Sequence, residues 1–172
     1  MPLSPTEQKY ILHWGEMGTR WGVNRTVAQI HALLFLANAP LNAEQIAETL
    51  GVARSNVSNS LKELQSWGLA RVTHVLGDRR DHFVALQDVW EIFRTIVEER
   101  KRREIDPTLT VLRQCAIEAE GDHGMEDATR QRMAQVLEFL EMLTDSYDDY
   151  KHLPPATLKR FLAMGGKVAK ML

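Results

Sequence analysis

The chain of 172 residues is long enough for one domain with an extension, or for two small ones. Hydrophobic residues make up 44% and charged residues 26%, proportions that exclude disordered, collagen-like and low-complexity classes. No apolar run has membrane-spanning length and the N-terminal stretch lacks a secretory pattern, so a cytoplasmic location is expected, with no membrane partner. One cysteine, Cys115, excludes a disulfide scaffold and a paired-thiolate zinc site. The net charge of −2 hides an asymmetry: residues 1–86 carry 8 Lys and Arg against 7 Asp and Glu, while residues 87–172 carry 13 against 16. Residues 51–82 hold five basic and three acidic side chains, an excess too small to argue a partner without geometry.

In chain order, Tyr10, Ile11, Trp14 and Met17 recur at helical spacing and predict a helix over Glu7–Arg20. Val27, Ile30, Leu33, Leu34 and Ala37 predict a second, stopped by Asn38 and Pro40. Asn42 caps a third, with Gln45 completing a capping box and Gly51 supplying the left-handed stop. A fourth follows at once from Arg54 to Trp67, burying Val57, Leu61 and Leu64 and ending at Gly68. Leu69–Leu76 and His82–Leu86 predict a β-hairpin whose tip is Gly-Asp-Arg-Arg-Asp. Helices over Val89–Glu104, Thr108–Glu120 and Glu126–Asp149 come next, and a last one after Pro155 carries Leu158, Phe161, Leu162 and Val168.

Two helices joined by a tight turn and followed by a hairpin with arginines define a winged helix-turn-helix, in a mainly α chain. On the fourth helix Ser55, Asn59, Lys62 and Ser66 oppose the apolar stripe. Short polar side chains of this kind suit base edges and phosphates, and Arg54 and Asn56 sit where the helix start favours a phosphate. The candidate DNA contacts are Arg54, Ser55, Asn56, Ser58, Asn59, Lys62 and the wing residues Arg79 and Arg80, which are placed for a minor groove. Asp78 and Asp81 read as turn chemistry, with Asp81 able to orient an arginine. The strong apolar stripe of Glu126–Asp149 exceeds what a winged helix can cover and predicts a homodimer.

Gln29-Ile-His-Ala-Leu-Leu-Phe-Leu and the run from Ala43 to Leu64 resemble MarR-type transcriptional regulators. Leu64-Gln-Ser-Trp-Gly-Leu and Leu76-Gly-Asp-Arg-Arg-Asp-His-Phe resemble the GbsR-like subgroup in particular. The resemblance spans Gly18 to Trp90 and implies a ligand-responsive repressor that binds double-stranded DNA as a homodimer on a pseudo-palindromic operator. It implies three segments: residues 1–25, a helix in the dimer interface; 26–86, the DNA-binding winged helix; and 87–172, a helical dimerisation region. One departure is Ala53, which stands where such regulators place a capping Ser or Thr. The subgroup is associated with osmoprotectants such as choline or glycine betaine, and Trp14, Trp21 and Trp90 are either core residues or the lining of a site for a quaternary ammonium effector. The alternative function is a winged-helix protein-interaction module that does not bind DNA.

No catalytic residue is expected, since no nucleophile elbow, phosphate-binding glycine loop or triad pattern is present. No cofactor is expected either. His74, His82 and His123 show no metal-ligand spacing, so no metal site is expected. Cys115 reads as a buried, inert thiol.

Overall fold

The computed structural model describes residues 2–168, without the side chains at 161, 162 and 165–168. The expected apolar positions Phe161, Leu162 and Val168 therefore lie outside the described side chains. The chain forms two compact units, Met1–Ile96 and Val97–Leu172. The division falls inside a helix, ten residues beyond the boundary at 86 expected from sequence.

The first unit starts with α1 (Pro5–Arg20), two residues ahead of the predicted start. Ser4 and Glu7 form a reciprocal capping box and Pro5 fills the first turn, where a missing N–H costs nothing. α2 (Arg25–Leu36) lies against α1 and buries Ile30, His31, Leu33 and Leu34. The approach is close at Gly18, where an added Cβ would meet the Ala28 methyl at 2.5 Å. α3 (Ala43–Leu50) carries the Asn42–Gln45 capping box and stops at Gly51, whose φ is +65°. α4 (Arg54–Ser66) buries Val57, Leu61 and Leu64, and Ala53 gives it no side-chain cap.

The wing differs from the hairpin read off the sequence. β2 (Ala70–Val75) and β3 (Asp78–Ala85) are antiparallel, and a short β1 (Leu41–Asn42) adds a third strand in the order β1-β3-β2. Leu41 pairs with Phe83 and Asn42 with His82, so the sheet is anchored to the start of α3. The turn is only Leu76–Gly77, because Gly77 adopts φ +84° and lets the strands close at Val75 and Asp78. Pairing slips between Thr73 and Val75, leaving residues 79–81 opposite His74 alone. Arg79 and Arg80 thus sit in a bulged strand, not in the tip. Ile11, Ile30, Leu33, Ile46, Val57, Leu61, Leu64 and Phe83 join α1 to α4 and the sheet in one core, which Ile92 of α5 (Val89–Arg100) also enters.

The second unit begins within α5, where a π-helical turn (Lys101–Ile105) leads directly into α6 (Asp106–Gly121). Two separate helices were expected here. Pro107 has no N–H for the carbonyl four residues back, and the ladder widens just ahead of it instead of stopping; Asp106 N–H bonds the Lys101 carbonyl. α6 packs on α7 (Asp127–Tyr150), with Arg113 Nε donating to Glu141 at 2.8 Å and Arg130 Nε donating to the Ala119 carbonyl at 2.9 Å. α8 (Pro155–Val168) completes the described chain. Leu109 and Ala119 are the buried apolar residues described in this unit, and α7 has none. Cys115 is half-buried, a departure from the buried thiol expected.

Candidate nucleic-acid interface

The first turn of α4 and the bulged strand β3 face a common groove of about 410 Å³. Arg54, Ser58 and Lys62 line it from α4, Arg80 and Asp81 from β3, and Glu44 from the first turn of α3. Ser55, Asn56 and Asn59 are exposed on α4, as the opposition to Val57, Leu61 and Leu64 requires. Arg79 is exposed on β3, and neither it nor Lys62 takes part in the ion pairs of this face. The eight candidate contacts therefore lie on α4 and β3, the two elements that the buried core fixes beside each other.

Electrostatics at the groove are more balanced than the sequence implied. Asp78, not Asp81, holds an arginine: Arg80 Nε donates to both carboxylate oxygens at 2.9 and 3.1 Å, and the Arg80 backbone N–H donates to one of them at 3.0 Å. These bonds hold the Asp78 carboxyl well below the ordinary carboxylate range and raise the Arg80 guanidinium. Buried His82 stands on the same side of β3, with Nε2 3.5 Å from Asp78 and Nδ1 2.9 Å from the Arg80 carbonyl oxygen. Glu44 reaches across, 2.8 Å from Arg54 and 3.8 Å from Arg80. Sequence reasoning passed over Glu44, since an acid in a first helical turn is ordinary dipole chemistry.

The three tryptophans named from the sequence do not share one wall. Trp14 stacks on Tyr10, centroids 5.5 Å apart, and both line a cavity of about 100 Å³ with His31, Phe35, Val89 and Ile92. Trp21 caps the end of α1 and is 61% exposed, and Trp90 is half-buried outside that lining. His31 is the cavity's polar feature: it is buried, Nε2 has no hydrogen-bond partner among the described residues, and burial lowers its pKa to about 4. The signal for it was a histidine inside the apolar stripe of α2, but nothing in sequence spacing brings Tyr10 and Phe35 to the same place. Among the described residues no cluster of His, Cys, Asp and Glu is arranged to hold a metal ion.

A turn-linked helix pair, with the second helix exposing a polar face next to a wing, makes this a winged helix-turn-helix protein. A family model described as MarR family matches residues 21–81. The HTH-type transcriptional repressor GbsR of Bacillus subtilis (strain 168) is 21% identical over 136 residues, covering 77% of this chain and 75% of its own length. A crystal structure described as that of a transcriptional regulator superposes with a TM-score of 0.67 at 18% identity, covering 86% of this chain and 96% of the other, and shares its fold. Residues 21–81 are thus similar to the MarR family, and the chain shares the fold of a solved transcriptional regulator.

Proposed function

We propose that the protein is a cytoplasmic, homodimeric repressor that binds an imperfect palindrome and is released from it by a small effector. It acts by binding and not by catalysis. The observation that carries the reading is the exposed polar face of α4, Ser55, Asn56, Asn59 and Lys62, set beside Arg79 and Arg80 of the wing. Asn and Lys supply base-edge contacts and the arginines phosphate or minor-groove contacts. Among the described residues no helix is long and apolar enough to cross a membrane.

The dimer reading is supported by the second unit, where Val111, Ile117, Val136, Phe139, Met142 and Leu143 are left exposed while Leu109 and Ala119 alone are buried among the described side chains. Helices with so little covered apolar surface gain stability by packing against a second copy. In this reading residues 26–86 read DNA, and 1–25 and 87–172 supply the contacts between copies. Two recognition helices about 34–36 Å apart then meet successive major grooves.

For the effector, Trp14 with Tyr10 and Phe35 takes the place of the three-tryptophan cage. The lining offers the aromatic faces of Tyr10, Trp14 and Phe35 and no acidic or basic side chain other than His31, which suits a group held by cation–π attraction such as a quaternary ammonium. The test is to select duplexes from a random pool, then follow operator binding and tryptophan fluorescence together while titrating choline, glycine betaine and small aromatic acids. Failure to prefer any duplex over random DNA would leave the protein-interaction module; unchanged operator affinity across the panel would remove the effector site.

A further inference from the structure

Glu44 stands in the first turn of α3, yet its carboxylate reaches two other elements, with one oxygen 2.8 Å from Arg54 and the other 3.8 Å from Arg80. These are the first residue of α4 and a wing residue, both proposed above to meet DNA. Arg80 is held from its own strand by Asp78 as well, so two cations of this face come with two carboxylates. Lys62 and Arg79 stand exposed without a partner in this set. The start of α4 has no side-chain cap from Ala53, which makes the Glu44–Arg54 contact a side-chain tie between α3 and an uncapped helix start.

We infer that Glu44 is a specificity-determining residue of the DNA interface: a fixed counter-charge that orients Arg54 and Arg80 while subtracting from the attraction to any duplex. The inference rests on the DNA-binding role proposed for this face. Binding to random DNA is almost wholly counterion release and depends on the net cationic charge delivered to phosphates. A carboxylate shared by two guanidiniums cancels about one such charge on every sequence. Operator binding depends in addition on base contacts from α4, which require that helix and the wing to be held in register. Glu44 therefore weakens random binding through its charge and supports operator binding through its position, and both effects raise the ratio between them.

The test compares the wild-type full chain with Glu44→Gln, using a random-sequence duplex pool and an operator selected from it, over a range of KCl concentrations. Removing one negative charge per copy steepens the slope of log K against log salt by about 0.9 per copy, and at about 0.1 M salt raises random-duplex affinity about eightfold for each copy engaged. Operator affinity rises less, so the preference for operator falls. Glu44→Ala removes the same charge without leaving an amide and must shift the slope the same way, while Glu44→Asp keeps the charge and the wild-type slope. A purely structural role would lower affinity on both duplexes with the slope unchanged. That outcome, or an equal rise on both duplexes, or no change in either variant with unaltered melting, overturns the inference. Absence of wild-type binding to every duplex would overturn the DNA-binding reading itself, and this inference with it.

Discussion

Lowering the pH isolates His31. Its imidazole is buried, the cavity it lines with Tyr10, Trp14, Ala32, Phe35, Val89 and Ile92 has no acidic side chain, and burial lowers its pKa from the ordinary 6.5 to about 4. The folded state therefore binds this proton less readily than the unfolded chain does. Stability from the neutral His31 is fully present above pH 6.5 and is lost as the pH falls through the window down to about 4. At about 1.4 kcal/mol per tenfold change in proton affinity the complete loss is about 3 kcal/mol. Roughly 2 kcal/mol of it is gone by about pH 5, which lowers the melting temperature by about 4–8 °C in a chain of this size. The carboxylates of Glu7, Asp78, Glu99 and Asp148 are also held below their ordinary values, by hydrogen bonds to Ser4, Arg80, Arg102 and Lys151 respectively, and because a carboxylate ordinarily titrates below a histidine their losses come at lower pH. The assay is urea unfolding at fixed protein concentration, near pH 7.5 and near pH 5, for wild type and His31→Leu. Leucine fills similar space and removes an unsatisfied buried nitrogen, so the variant should be at least as stable near neutrality and should lack the acid-dependent loss. If both proteins lose the same stability on acidification, the buried neutral histidine is refuted.

Asn59→Ala and Lys62→Ala should each reduce the preference for selected operator over random duplex by about 1–3 kcal/mol in competition binding, and an intact preference would refute the reading of α4. Arg79→Ala should flatten the salt slope by about 0.9 per copy on operator and random DNA alike, because no ion pair of this face offsets its charge. Gly18→Ala brings two methyl carbons to 2.5 Å, and neither is the end of a flexible chain. The helix-propensity gain of about 1 kcal/mol is outweighed by overpacking, for a net loss of about 1–2 kcal/mol by chemical denaturation that Ala28→Gly should relieve in the double variant. Phe139→Glu on the exposed apolar face of α7 should abolish the dimer mass in light scattering, and an unchanged dimer would place the contact between copies elsewhere.

The helices that position the site were legible because each carries its own punctuation. α3 announces itself by Asn42 and Gln45 at one end and Gly51 at the other, and α4 by three apolar residues opposite a polar stripe. What failed to show was whatever depends on a distant partner. β1 is two residues long and exists only because Leu41 and Asn42 meet Phe83 and His82, a pairing that no local period encodes. The continuous path through the π turn was hidden by Pro107, whose ordinary meaning is a helix boundary. Aromatic content likewise gave no sign that Trp14 would find Tyr10 and Phe35 instead of Trp21 and Trp90.

The wing shows why a charged site is harder to read than a fold. Gly77, Asp78 and Asp81 are all turn formers, so the segment around Arg79 and Arg80 scans as a loop offering two equivalent cations. A single positive φ at Gly77 closes the turn early, and exposed Leu76 becomes the tip while both arginines enter the strand. Asp78 then falls on the same side as Arg80 and His82, and its carboxylate is committed to Arg80. Arg79, the next residue along, keeps an unshared charge. In the proposed DNA interface the two neighbours would therefore do different work: Arg79 would add attraction to any phosphate, whereas Arg80, braced by Asp78 and Glu44, would meet DNA with its charge already offset. Composition counts both as plus one; the carboxylates within reach of each decide how much of that charge the DNA meets.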